Sequence, residues 1–400
     1  MMKILFLDQS GKPGGAELFL LDIAKPYRNN CLVGLFADGG FKKLLEQQEI
    51  PVQVLTNQVI KVSKESSLME GLSSLNKLAP LINKVIKISQ DYDLIYANTQ
   101  KALVVGAIAH FFTHRPLIYH LHDILSLDHF SKTNRQIAVT LANRCASLVI
   151  ATSQATKTAF IEAGGKPEIV EVVYNGFQSE NYEIDESKIN QIRQNLGIKQ
   201  QFVVGHFSRL SPWKGQHILI EALTHCPENV TAILVGDALF GEEDYTQQLH
   251  KQVAELGLEK RVKFLGFQAD IAPLMKACDL ITHTSISPEP FGRVIAEAML
   301  CKKPVIAAKA GGAIELIEHQ KTGWLITPGN SLTLAEFINY CRQHPELSET
   351  IAQQAQIFAR QHFELTTINQ QIAQLLNQLM YSGEEMRKLR KEIFTADERK

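Results

Sequence analysis

The sequence predicts an α/β chain of two doubly wound domains, and three observations predict it. Short apolar runs of strand length alternate with segments of helical periodicity along most of the 400 residues. The opening pattern of strand, glycine loop and helix returns near residue 201. The chain is also longer than one hydrophobic core comfortably fills. Strands alternating with helices form parallel sheets covered on both faces. In such sheets ligands collect at the carboxyl ends of the strands, and two such ends can face one interdomain cleft.

In order along the chain, residues 3–7 (KILFL) read as the first strand, 11–15 as a glycine-rich turn and 16–24 as a helix. Apolar positions 18, 19, 20, 21 and 23 give that helix a broad buried face. Further strands are read at 32–36, 52–55, 94–97, 117–120, 148–151 and 169–173. The eleven residues 102–112 suit a buried helix better than a membrane span. A second series starts at 201–205, passes a loop through Lys214 and Gly215, and enters a helix from Gln216 to Leu223. Its later strands are read at 231–235, 262–264, 280–282 and 304–307. A charged, irregular stretch at 178–186 follows Gly176, so the domains are expected at 1–177 and 178–365.

Lysine plus arginine (41) and aspartate plus glutamate (42) leave a net charge of −1, which gives no bulk attraction to nucleic acid. Only residues 4–7 are apolar before Asp8, too few for a secretion signal, so a cytoplasmic protein is expected. The cysteines at 31, 145, 226, 278, 301 and 341 form no C-x-x-C, which suits packed, reduced thiols rather than a zinc site.

Four loops carry candidate chemistry. In residues 289–297 (EPFGRVIAE), Pro290 is suited to the first turn of a helix reaching about Leu300. The backbone amides of Phe291, Gly292, Arg293 and Val294 would then be free to receive an anion. Glu289 and Glu297 repel phosphate but accept hydrogen bonds from hydroxyls of a sugar or ribose. The alternative is a solvated helix start favoured by its acidic residues. Arg209 and Lys214 lie within six residues after a strand, where they can neutralise a departing diphosphate or simply sit on the surface. Gly14 and Gly15, in GKPGGAE, permit close approach to a ligand but do not form a G-x-G-x-x-G fingerprint, which disfavours a dehydrogenase. His120 and His122 share one side of a strand end, where His122 can face a ligand. No third ligand is spaced for a metal. Asp91 and Asp93 precede a strand and read as a turn.

Together these residues resemble a retaining glycosyltransferase of family 4, with the GT-B fold of two Rossmann-like domains around a cleft. The resemblance rests on E-P-F-G-x-x-x-x-E at 289–297, R-L-x-x-x-K-G at 209–215, G-G-A-E at 14–17, H-D at 122–123, V-Y-N-G at 173–176 and A-G-G at 310–312. It implies transfer of a hexose from a nucleoside diphosphate sugar, UDP-glucose or another UDP-hexose first, to an acceptor hydroxyl. Bacterial exopolysaccharide enzymes are the most similar in style. No metal or other cofactor is implied. By resemblance, His122, Arg209, Lys214 and Glu289 are catalytic. Gly14, Gly15, Phe267, Phe291, Gly292, Arg293, Val294 and Glu297 bind the donor, with Phe267 near the base. Ser208 replaces a usual glycine, and Phe177-Gln178 replaces a small apolar residue and aspartate.

The fold also implies that C-terminal helices, about 366–400, rejoin the first domain, with a break at Ser382-Gly383. The tail places Met386, Leu389, Ile393 and Phe394 on one face. Residues 61–88 carry leucines at helical spacing among lysines, divided by Pro80. Such helices either face the core or touch anionic lipid, and the acceptor is a saccharide or a lipid-linked one. A nucleotide-sugar epimerase and a non-catalytic nucleotide-sugar binder remain the alternatives.

Overall fold

The computed structural model describes residues 2–56, 68–127, 130–239 and 241–397, excluding the side chains of 68–77 and 382–397. The chain divides into two compact units, residues 1–176 with 365–400, and residues 177–364.

The first unit holds strands β1 (Ile4–Asp8), β2 (Cys31–Leu35), β3 (Val52–Val54), β4 (Leu94–Ala97), β5 (Leu117–Leu121), β6 (Ala146–Ala151) and β7 (Val170–Val172). They form one parallel sheet in the order β3-β2-β1-β4-β5-β6-β7. Alternation splits β1 between two cores: Ile4 and Phe6 pack with Phe19 and Ile23, whereas Leu5 and Leu7 pack with Ile95 and Leu103. The second unit holds β8 (Phe202–Phe207), β9 (Val230–Val235), β10 (Val262–Phe264), β11 (Leu280–His283), β12 (Val305–Ala308) and β13 (Trp324–Ile326). These are also all parallel, in the order β10-β9-β8-β11-β12-β13. The strand order reverses beside β1 in one sheet and beside β8 in the other, which marks the switch points where doubly wound sheets bind ligands.

Several local expectations are corrected. Pro80 does not divide its segment: one helix runs Leu68–Ser89 with the proline inside. Proline removes one hydrogen bond there, but Leu81 and Val85 just beyond it are anchored in the core. In that helix Lys84 turns inward, its Nζ donating to the carbonyls of Val54 (3.3 Å) and Leu55 (3.5 Å). Residues 61–67, part of the lipid-facing expectation, lie outside the described residues. Ser382-Gly383 makes no break either, since the last helix is continuous over Leu365–Asp397. The expected apolar face at Met386, Leu389, Ile393 and Phe394 lies among the side chains not described. The helix Gln100–Thr113 is buried through Ala109, yet Phe111 and Phe112 are 72% and 61% exposed. Leu18 is likewise exposed on the helix Gly15–Ala24. Strand β13 has no counterpart among the expected strands. Among the described residues, no helix is long and apolar enough to cross a membrane. All six cysteines are free, and all but Cys145 are buried.

The last helix completes the first unit's core by placing Ile368, Ile372 and Leu376 against the cluster of Phe19 and Ile23. Leu376→Ala is expected to cost about 2–5 kcal/mol. Hydrogen exchange should then quicken in β1 and β2 and stay unchanged in β8 and β11.

Candidate active site

In the second unit the site is built on three neighbouring strand ends, those of β8, β11 and β12. The chain leaves β8 through a loop that closes in the short 3-10 turn Pro212–Lys214. Gly215 then sits at φ +73°, where a Cβ would lie 2.1 Å from the Thr284 carbonyl oxygen, so only glycine lets this loop abut the end of β11. The buried Gln216 amide fixes the loop from below, donating to Ser208 Oγ and to the Arg209 carbonyl, each at 2.8 Å. Ser208, which stands where the family usually has glycine, is thereby part of the loop's support.

Lys214 Nζ lies 4.0 Å over the Trp213 ring and donates to Glu289 Oε1. Arg209 Nε is 3.5 Å from Glu242 Oε2, and Ser211 Oγ holds the other Glu242 oxygen at 2.7 Å. Glu289 is only 6% exposed. It accepts from Ser285 Oγ at 3.0 Å, and His283 Nε2 lies 3.2 Å from its Oε1. Burial alone would raise its pKa, but Lys214 and His283 outweigh burial and hold the carboxyl well below the usual range.

The helix after Glu289 begins later than expected. Glu289 bridges to Gly311, and its carbonyl accepts from the Gly312 amide at 2.7 Å, and the chain then bends at Pro290 and Phe291 before any helix begins. Gly292, at φ +94°, turns it into the helix Arg293–Leu300. Pro290 is therefore outside the first turn, and the first amides of the helix are those of Arg293 and Val294. The Ile295 amide is already bonded to the Gly292 carbonyl at 2.9 Å. Phe291 is buried, stacked on Phe177 with ring centroids 6.3 Å apart. The Arg293 guanidinium lies 4.6 Å over Phe177 and reaches Glu297 Oε1 at 3.5 Å. Phe177 thus appears as a departure in the sequence and as the platform for Arg293 in the structure. Burial raises the pKa of Glu297, with Arg293 acting against it. The Phe267 ring is 62% exposed, and its amide points to Asp237 Oδ2 at 3.3 Å.

In the first unit, Gly14 caps the helix that starts at Gly15, and its amide donates to Glu17 Oε2 at 2.9 Å. His122 lies just past β5, its Nε2 2.9 Å from Asn98 Oδ1. His120 shares that side of the strand, with ring centroids 3.9 Å apart, but is fully buried with Nδ1 2.8 Å from Tyr96 Oη. It is a core histidine, kept neutral by burial. Sequence reasoning missed Asp8 and Asn98 and gave no role to Glu17, which it read only as part of G-G-A-E; Asn98 holds His122, Asp8 holds Asn98, and Glu17 holds Gly14. Burial first, and their mutual repulsion second, push Glu17 up to about 8; burial pushes Asp8 up to about 6. Among the described residues, no three His, Cys, Asp or Glu are grouped to hold a metal. Asp91 and Asp93 sit in the turn before β4, where Asp93 accepts from the Lys3 amide at 2.7 Å.

Two parallel doubly wound units, each with polar groups gathered at the ends of its central strands, define the GT-B architecture, and the chain belongs to the family 4 glycosyltransferases of that fold. Residues 13–181 match Glycosyltransferase Family 4, and residues 188–358 match Glycosyl transferases group 1. Anabaena HepE (Alr3699), solved in complex with UDP-glucose, is 64% identical, covering 94% of this chain and 100% of its own, with a TM-score of 0.89. The capsular polysaccharide biosynthesis glycosyltransferase CapM of Staphylococcus aureus is 25% identical, across 82% of this chain and 86% of its own length. A glycosyltransferase from Rickettsia africae shares the fold, with a TM-score of 0.78 at 21% identity, over 95% of this chain and 98% of its own.

Removing Lys214 leaves a buried carboxylate without its main counter-charge. Lys214→Ala is expected to lower stability by about 3–5 kcal/mol at neutral pH. Adding Glu289→Gln should restore most of that loss, as read from urea unfolding midpoints. Glu17 titrates in the opposite sense. Because its folded pKa lies above its ordinary value of 4.5, the protonated form favours folding, and stability falls as pH rises toward about 8. Calorimetric melting temperatures should decline from pH 5 to pH 8 in the native sequence and decline less in Glu17→Gln.

Proposed function

We propose that the protein is a retaining, metal-independent hexosyltransferase that moves glucose from UDP-glucose to a hydroxyl of a saccharide or lipid-linked acceptor, in exopolysaccharide assembly. The observation that carries this reading is the 64% identity, over 94% of this chain and all of the other, to HepE, solved with UDP-glucose, with UDP and glucose, and with UDP. The assignment of CapM to capsular polysaccharide synthesis supports the polysaccharide context.

The roles follow from charge and hydrogen-bonding capacity. As the bond from the sugar's anomeric carbon to the diphosphate breaks, negative charge builds on the leaving phosphate. Arg209 and Lys214 stabilise it, taking the part a divalent cation plays in other transferases. Lysine has three N–H donors, so the bond to Glu289 does not exhaust its capacity for phosphate oxygens. Glu289 stays ionised across physiological pH, which makes it a strong acceptor for hydroxyls of the transferred sugar. Glu297 receives the ribose hydroxyls. Gly292, Arg293 and Val294 offer amides at the helix start, backed by Phe291, and Phe267 is assigned to the base by resemblance. Gly14, Gly15 and His122 are assigned to the donor by resemblance. With configuration retained, the acceptor oxygen bonds to the anomeric carbon on the face that UDP leaves, and its proton passes to the departing phosphate oxygen.

UDP-glucose at 100 times its Kd is expected to stabilise the fold by about 2.7 kcal/mol, visible as a thermal shift that ADP- and GDP-sugars do not match. Arg209→Ala is the cleaner test of leaving-group stabilisation, because its partner Glu242 is partly solvated. It should lower kcat/KM by about 10²–10³, measured as UDP release with acceptor present. No shift with UDP-glucose, or an altered sugar nucleotide formed without acceptor, would overturn the reading.

A further inference from the structure

Three side chains at the ends of three neighbouring strands of the first unit form a chain of hydrogen bonds. Asp8 ends β1, Asn98 follows β4 and His122 follows β5. Asn98 is fully buried, and its own amide N–H is fixed to the Leu7 carbonyl at 3.0 Å. Its side-chain nitrogen donates to Asp8 Oδ2 at 2.7 Å and to the Ala16 carbonyl at 3.2 Å. The other Asp8 oxygen accepts from the Ser10 amide at 2.7 Å, so the carboxylate is itself held.

Those two donations settle which way the Asn98 amide faces. Turned over, its oxygen would confront a carboxylate oxygen and a carbonyl oxygen at hydrogen-bond distance, which is repulsive. Asn98 therefore presents Oδ1 to His122, and an oxygen with no proton can only accept. His122 Nε2, 2.9 Å away, must carry the hydrogen.

We propose that Asn98, held by Asp8, is a positioning residue that keeps a proton on His122 Nε2, so that Nδ1 is the ring nitrogen that gains and loses a proton. The bond to Asn98 persists whether the ring is neutral or charged, since Nε2 bears a hydrogen in both forms. The consequence for turnover rests on the role proposed for His122 above; the tautomer does not.

Two-bond proton–nitrogen NMR of protein labelled with ¹⁵N-histidine reads the tautomer directly, with the His122 signal assigned by its loss in His122→Gln. The native protein should show Nε2 protonated wherever Asp8 is ionised, above about pH 6, with only Nδ1 changing. A neutral ring protonated at Nδ1 would overturn the proposal without any variant. Asn98→Leu should mix the tautomers and lower kcat on the order of tenfold or more, with the KM for donor little changed. An unchanged tautomer and kcat in that variant would equally refute it. Full turnover by His122→Gln would instead remove the catalytic role of His122 and leave the tautomer assignment standing.

Discussion

The second unit is organised around one ionised carboxyl group in a place that strongly disfavours it. Glu289 is almost entirely removed from solvent, and an uncompensated charge there would neutralise itself by taking up a proton. Three side chains prevent this. Lys214 comes from the loop after β8, His283 from the last position of β11, and Ser285 from just beyond it. The turn after β12 grips the same residue by its backbone through Gly311 and Gly312. Gly311 is at φ +58°, and a Cβ on it would come within 2.2 Å of the Glu289 carbonyl oxygen. Satisfying one anion thus ties together three adjacent strand ends, and the surrounding groups that would meet a diphosphate inherit their positions from that requirement.

The first unit repeats the solution with different chemistry. Its central strands β1, β4 and β5 have the same mutual order as β8, β11 and β12, and they carry Asp8, Asn98 and His122 at their ends. The common cause is topological. Where strand order reverses, successive connections depart to opposite sides and leave the strand ends uncovered, so polar side chains can gather there. The two sites differ in charge. One is a compensated ion pair; the other is an amide bridging a carboxylate and an imidazole, with Glu17 nearby as an acid whose protonated form is favoured.

Much of the fold was legible because strand length and apolar runs coincide in a parallel sheet: Leu94–Ala97 and Val262–Phe264 occur as expected, and the helix Gln216–Leu223 has the expected ends. β13 has no counterpart among the expected strands, although Trp324 is almost wholly buried. Pro80 and Pro290 both misled, for opposite reasons. Packing carried a helix through the first, while a backbone bridge to Gly311 kept the second out of a helix. The candidate residues of the second unit were legible as motifs, but their partners were not. Nothing near Phe177 in sequence indicates that it supports Arg293, and ninety residues separate Asp8 from the Asn98 it holds. Contacts between distant segments have no local signature.

The helix Leu365–Asp397 belongs to the unit that the N-terminus begins, while residues 177–364 form a contiguous unit between. During synthesis the middle portion can therefore close its core while the earlier portion still lacks Ile368, Ile372 and Leu376. Until the ribosome delivers those side chains, Phe19 and Ile23 have no cover on that side. The part of the protein made first is the part finished last.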